Sequence, residues 1–161
     1  MTNRLNMEDL TARHAELTDE REDLQSTLDD ARETLADGTD DTSALSHEER
    51  EDLQTAVADA REALLDWDTS GEALELADLN ELLDELRGAG GDHKYNGDWY
   101  PGELIDVDSF TEYAEELATE CYDIPDTWPH RCIDWQQAAR ELAQDYSLIT
   151  FNGTDYYYRS A

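Results

Sequence analysis

Cys121, His130, Cys132 and His93 are the side chains best suited to hold a soft metal. Their spacing argues against it. Ten residues separate the two cysteines and one lies between His130 and Cys132, whereas structural zinc sites use close pairs such as C-x-x-C. The thiols are expected instead as small buried side chains beside an aromatic core. Two cysteines make no disulfide framework, and a reducing cytosol would keep them as thiols. Catalysis has no better footing. With 42 carboxylates in the chain, a pair at any spacing says nothing about general acid–base chemistry. G-x-S-x-G and HExxH are absent, and Gly88 to Gly91 neither opens a helix nor precedes Lys-Ser or Lys-Thr, as a phosphate-cradling loop would. Asp37 to Asp41 lacks the ligand spacing of a calcium loop. No enzyme activity, cofactor or metal is expected.

What the carboxylates can do is act together. Ten of them, Asp98, Glu103, Asp106, Asp108, Glu112, Glu115, Glu116, Glu120, Asp123 and Asp126, run between Lys94 and Arg131 with no basic residue among them. Nine more lie between Arg61 and Arg87. The formal net charge is −31, from 11 basic residues against the 42 acids, and Lys94 is the sole lysine. Like charge at this density repels itself and weakens a compact fold. Such a chain is either adapted to an unusual solvent or presents its field to something positive. Direct binding to nucleic acid or to an anionic membrane is excluded as the main activity.

Helices would order these charges. Leu10, Leu17, Leu24 and Ala31 recur every seven residues, with His14, Arg21, Leu28 and Leu35 between them, which predicts one long helix over residues 7–36. Ser46 and Glu49 form a capping-box signature opening a second helix, with Leu53, Val57, Ala60, Leu64 and Trp67 as its apolar stripe. A third is expected over residues 72–87, ended by Gly88-Ala89-Gly90-Gly91. Beyond that linker aromatic residues become dense. A helix over residues 109–121 buries Phe110, Tyr113, Ala114 and Leu117, and another is capped by Asp134 with Gln137 three residues on. Asn152-Gly153 between Leu148–Phe151 and Thr154–Tyr158 predicts a hairpin with a type I′ turn. The expected fold is therefore mostly α with a small α+β C-terminal domain: an antiparallel helical hairpin or bundle, two helices, then a terminal β-hairpin. The expected division is an acidic helical region at 1–88, a linker at 89–97 and a terminal domain at 98–161. No apolar run long enough to span a bilayer occurs, and the acidic N-terminus lacks a signal-peptide core, so a cytoplasmic protein is expected.

Residues three and four apart on a helix are neighbours. Asp106, Asp108, Glu112, Glu115, Glu116 and Glu120, continued by Asp123 and Asp126, are expected to form one row of exposed carboxylates. Asp19, Asp23, Asp29, Asp30 and Glu33 extend the pattern on the first helix. By the duplex figure of one charge per about 1.7 Å, a net −31 matches about 50 Å of DNA. Salt-adapted proteins share this composition, and the heptads equally suit a coiled-coil adaptor, so charge alone does not separate these three readings.

The terminal segment carries a more specific pattern. Phe110-Thr-Glu-Tyr113-Ala114-Glu-Glu-Leu117 is followed by Cys132-Ile133-Asp134-Trp135-Gln-Gln-Ala138-Ala139-Arg140-Glu-Leu142, by Asp145-Tyr146, and by the hairpin from Phe151-Asn152-Gly153 to Tyr156-Tyr157. This order resembles the last domain of the ArdA-type antirestriction proteins, acidic phage and plasmid products that imitate DNA. The resemblance covers about residues 97–161. The two small domains that precede it in that family have no counterpart here. The resemblance implies an inhibitor of host defence, from a phage or mobile element, working in the host cytoplasm. Its partner would be a positively charged DNA-binding protein, a restriction–modification enzyme or CRISPR effector, whose channel it occupies without chemistry. A homodimer, through the terminal strand edge or the helical front, remains open.

Overall fold

The computed structural model describes residues 3–38, 45–90, 98–122, 124 and 127–160. They form β1 (Arg4–Asn6), α1 (Met7–Asp37), α2 (His47–Asp68), α3 (Gly71–Leu86), β2 (Glu103–Asp106), α4 (Phe110–Cys121), α5 (Trp135–Leu142), β3 (Ser147–Phe151) and β4 (Thr154–Tyr158). Short 3-10 turns precede α4 and α5 and follow α5. The chain divides into two compact units, one of residues 1–12 with 80–161 and one of residues 13–79.

Residues 13–79 are helical. Arg13 bonds Glu75, Arg21 bonds Asp68, and Leu28 packs on Ala60 and Leu64 with Leu24 and Val57 beside them. As α1 advances its partners on α2 recede, so the two helices run antiparallel. The heptad leucines supply the seam: Leu17 and Leu28 are buried. The capping box forms as expected, with Ser46 Oγ accepting from the Glu49 amide at 3.3 Å and Glu49 Oε2 accepting from the Ser46 amide at 2.8 Å.

The other unit is built on a mostly alternating sheet of order β1-β2-β4-β3, antiparallel throughout. Its central strands are apolar on both faces because both faces are covered. Leu104, Ile149 and Tyr156 pack on one side with Met7, Leu82, Leu83 and Leu86. Ile105 and Tyr157 look to the other side, where Phe110, Tyr113, Ala114 and Ala139 from α4 and α5 lie. The closing hairpin follows the sequence expectation: Asn152 has φ 50° and Gly153 φ 76°, the left-handed pair that a type I′ turn requires.

Three features differ from the sequence reading. First, the terminal hairpin belongs to a four-stranded sheet, because residues 4–6 and 103–106 add β1 and β2. Second, the compact units part within α1 and α3, whereas the sequence placed a boundary at 88–98; β1 ties the N-terminus into the sheet. At their described residues the glycines of that stretch are fixed. Gly88 (φ 81°) and Gly90 donate amides to the Asp98 and Trp99 carbonyls at 2.9 and 2.7 Å, and a Cβ on Gly90 would lie 1.9 Å from the Tyr100 carbonyl carbon. Residues 91–97 lie outside the described residues. Third, Cys121 and Cys132 are exposed. Rings fill the space expected for them: Phe110 sits 4.6 Å from Tyr157 and 5.1 Å from Tyr146, centre to centre.

Candidate functional site

The α4 face is set by the inward residues. Phe110, Tyr113 and Ala114 are buried and Leu117 packs beside them, so Glu112, Glu115 and Glu120 turn outward and are exposed. Asp106 starts the helix: its Oδ1 accepts from the Asp108 amide at 2.9 Å, and its Oδ2 accepts from Asn3 Nδ2 at 3.0 Å. Asp108 and Glu112 sit near the helix N-terminus, where the backbone dipole favours carboxylates. Glu112, Glu115, Glu116 and Glu120 thus fall within about 12 Å of helix, close to the phosphate spacing of one DNA strand, one per about 3.4 Å.

The row is not free of cations in space. Arg4, carried in on β1, hydrogen-bonds Glu116 and lies 3.5 Å from Glu103, with its guanidinium over the Tyr113 ring. Partial burial pulls the Arg4 guanidinium down, and Glu103 and Glu116 more than offset this, leaving it above its ordinary value. Burial, reinforced by the 2.9 Å hydroxyl contact with Tyr146, pushes the Tyr113 phenol up. Asp106 and Glu116 are therefore structural as well as acidic, whereas Asp108, Glu115 and Glu120 stand exposed. Asp123 and Asp126 lie outside the described residues.

On α1 the expected acids Asp19, Asp23, Asp29, Asp30 and Glu33 are all exposed. Asp29 accepts from Gln25 at 3.0 Å and lies 3.5 Å from Arg32. The remaining arginines of this unit's ion pairs face inward partners. Arg13 grips Glu75 through two bonds, 3.0 and 2.8 Å, and also reaches Glu16 at 2.8 Å. Hydrogen bonds to Glu75 and Glu16 hold the Arg13 guanidinium above its usual value and hold the Glu75 carboxyl below its own. Sequence reasoning missed the role of these arginines, and for Arg4 no local signal existed, since 112 residues separate it from Glu116.

Chemically the arrangement offers fixed negative points and no reacting centre. Among the described residues no group of three or more His, Cys, Asp or Glu is placed to hold a metal ion. No described helix is long and apolar enough to cross a membrane. No protein-family model, curated protein or solved structure matches the chain, so the ArdA-type resemblance rests on the residues that carry it.

Proposed function

We propose that this protein is a DNA-mimic inhibitor that occupies the basic channel of a DNA-binding defence enzyme, a restriction–modification nuclease or a CRISPR effector. One observation carries the reading: the α4 carboxylates are presented at phosphate-like density while the nearby arginine, Arg4, is spent inside the fold. Lysines and arginines of the target would meet Asp108, Glu112, Glu115 and Glu120 in place of phosphates. Release of the counterions condensed around the protein's own acids contributes to affinity, as it does for DNA. The acids of α1 serve in the same way on their own unit. Binding is competitive and breaks no bond. Passing a host lysate over the immobilised chain tests this. Retained DNA-binding enzymes that duplex DNA elutes support the reading; retention of none sinks it.

A second reading is favoured by a different observation. Acids outnumber basic residues 22 to 5 in residues 13–79 and 20 to 6 in the remainder, so the charge is shared between the units and not concentrated in one. General salt adaptation would produce that distribution. Thermal melts separate the two readings, because a salt-adapted fold unfolds near about 0.1 M salt, where repulsion is screened only beyond about 10 Å. A coiled-coil adaptor has less support, since the heptad seam of α1 is taken up by Ala60 and Leu64 of its own α2.

A further inference from the structure

The longest run in the chain without a charged side chain is Tyr146 to Thr154, nine residues in a sequence that is 33% charged. It contains the whole of β3, and β3 is an outer strand of the sheet, paired on one side by β4. Among the described residues no backbone hydrogen bond joins its other side. Edge strands are normally blunted by lysines, inward charges, proline or a bulge, because their unpaired amides and carbonyls template further strands. This protein does the reverse: it surrounds itself with carboxylates and leaves its one long strand edge bare of them. The edge is apolar too. Leu148 is 55% exposed, on the sheet face where its cross-strand partner Tyr157 is covered by Phe110.

We infer that β3 is a self-association edge, on which a second copy of this chain adds its own β3 antiparallel. The occupant follows from charge. Elsewhere two copies confront each other with acids, whereas two uncharged β3 edges meet without opposing carboxylates. A twofold axis at Ile149 sets Leu148 opposite Thr150 of the second copy and diagonal to its Leu148, within reach of cross-strand packing. Five ladder positions bury little area compared with a stable interface, and each copy carries a net −31. Self-association is therefore weak where salt is low and tightens as added salt screens the repulsion. That sign is opposite to the one expected for binding a basic enzyme, so this inference stands or falls apart from the proposed function.

Sedimentation equilibrium of the full chain from about 0.1 M to about 2 M sodium chloride tests it. The expected result is a monomer at the low end and a dimer at the high end. In the double variant L148K/T150K, which places like charges directly opposite each other, the chain stays monomeric throughout. A wild-type monomer at every salt overturns the inference, as does a double variant that dimerises like wild type. Amide hydrogen exchange on the unaltered chain guards against a variant that folds poorly. Raising its concentration at high salt should slow exchange of the β3 amides about tenfold, and unchanged β3 exchange in a dimeric sample overturns the inference.

Discussion

The guanidinium carbon of Arg4 lies 4.8 Å from the centre of the Tyr113 ring. That contact joins the first strand to the inner face of α4, whose outer face carries the acid row. It gives the sheet unit a cation held by a ring below and carboxylates beside it, so replacing it tests packing and field together. Arg4→Gln should cost about 1 kcal/mol, the usual worth of an exposed cation–π contact and surface ion pairs. It should not weaken binding to a basic target, because Glu116 is released. Chemical denaturation and a competition assay on the same variant check both signs.

Gly90 is tied to a different physical cause. A Cβ there would sit 1.9 Å from the Tyr100 carbonyl carbon and oxygen and 2.1 Å from Pro101 N, all backbone atoms that cannot swing aside. Gly90→Ala should destabilise by about 1–3 kcal/mol, the range of overpacking. Gly102, with nothing within 4 Å of its would-be Cβ, is the control, and Gly102→Ala should be nearly neutral in the same denaturation experiment.

Ser46→Ala should cost about 1 kcal/mol by removing the acceptor for the Glu49 amide. The same change should raise the Glu49 carboxyl toward its ordinary value, because hydrogen bonds from Ser46, backbone amide first, hold it low. A carbon-detected NMR titration reads both forms.

Much of this architecture was legible because its causes are local. Ser46 with Glu49, Asp134 with Gln137 and Asn152 with Gly153 each act within three residues, and the structure forms the two caps and the turn. Outward acids on α1 and α4 followed from helical period and inward apolar residues. What the sequence hid acts at long range. β1 pairs with β2 about a hundred residues away, Gly90 is constrained by Tyr100 across a turn, and Arg4 reaches Glu116 from the far end of the chain. The cysteines were misplaced because small and apolar is a tendency, whereas Tyr146 and Tyr157 had already filled the core beside Phe110.

Acid should loosen the helical unit through Glu75. Its carboxyl is lowered by hydrogen bonding to Arg13, partly against desolvation. A carboxyl lowered in the folded state contributes stability that is present above its unfolded value of about 4.3 and is lost as pH falls through the folded value. An NMR titration should therefore place Glu75 below an ordinary glutamate, and Arg13→Gln should bring it back up. An unchanged midpoint in the variant would show that Arg13 is not the cause.

The central claim is that exposed carboxylates replace phosphates in an enzyme's channel. Displacement of a labelled duplex from purified restriction–modification nucleases and CRISPR effector complexes, measured over rising salt, tests it most directly. The account predicts that the wild-type chain displaces DNA from at least one of them, with affinity falling steeply and log-linearly as salt rises. The charge reversal D108K/E112K/E115K/E120K should abolish displacement while the fold is kept. Failure to displace DNA from any of them at low salt, or undiminished displacement by the reversed variant, would contradict it.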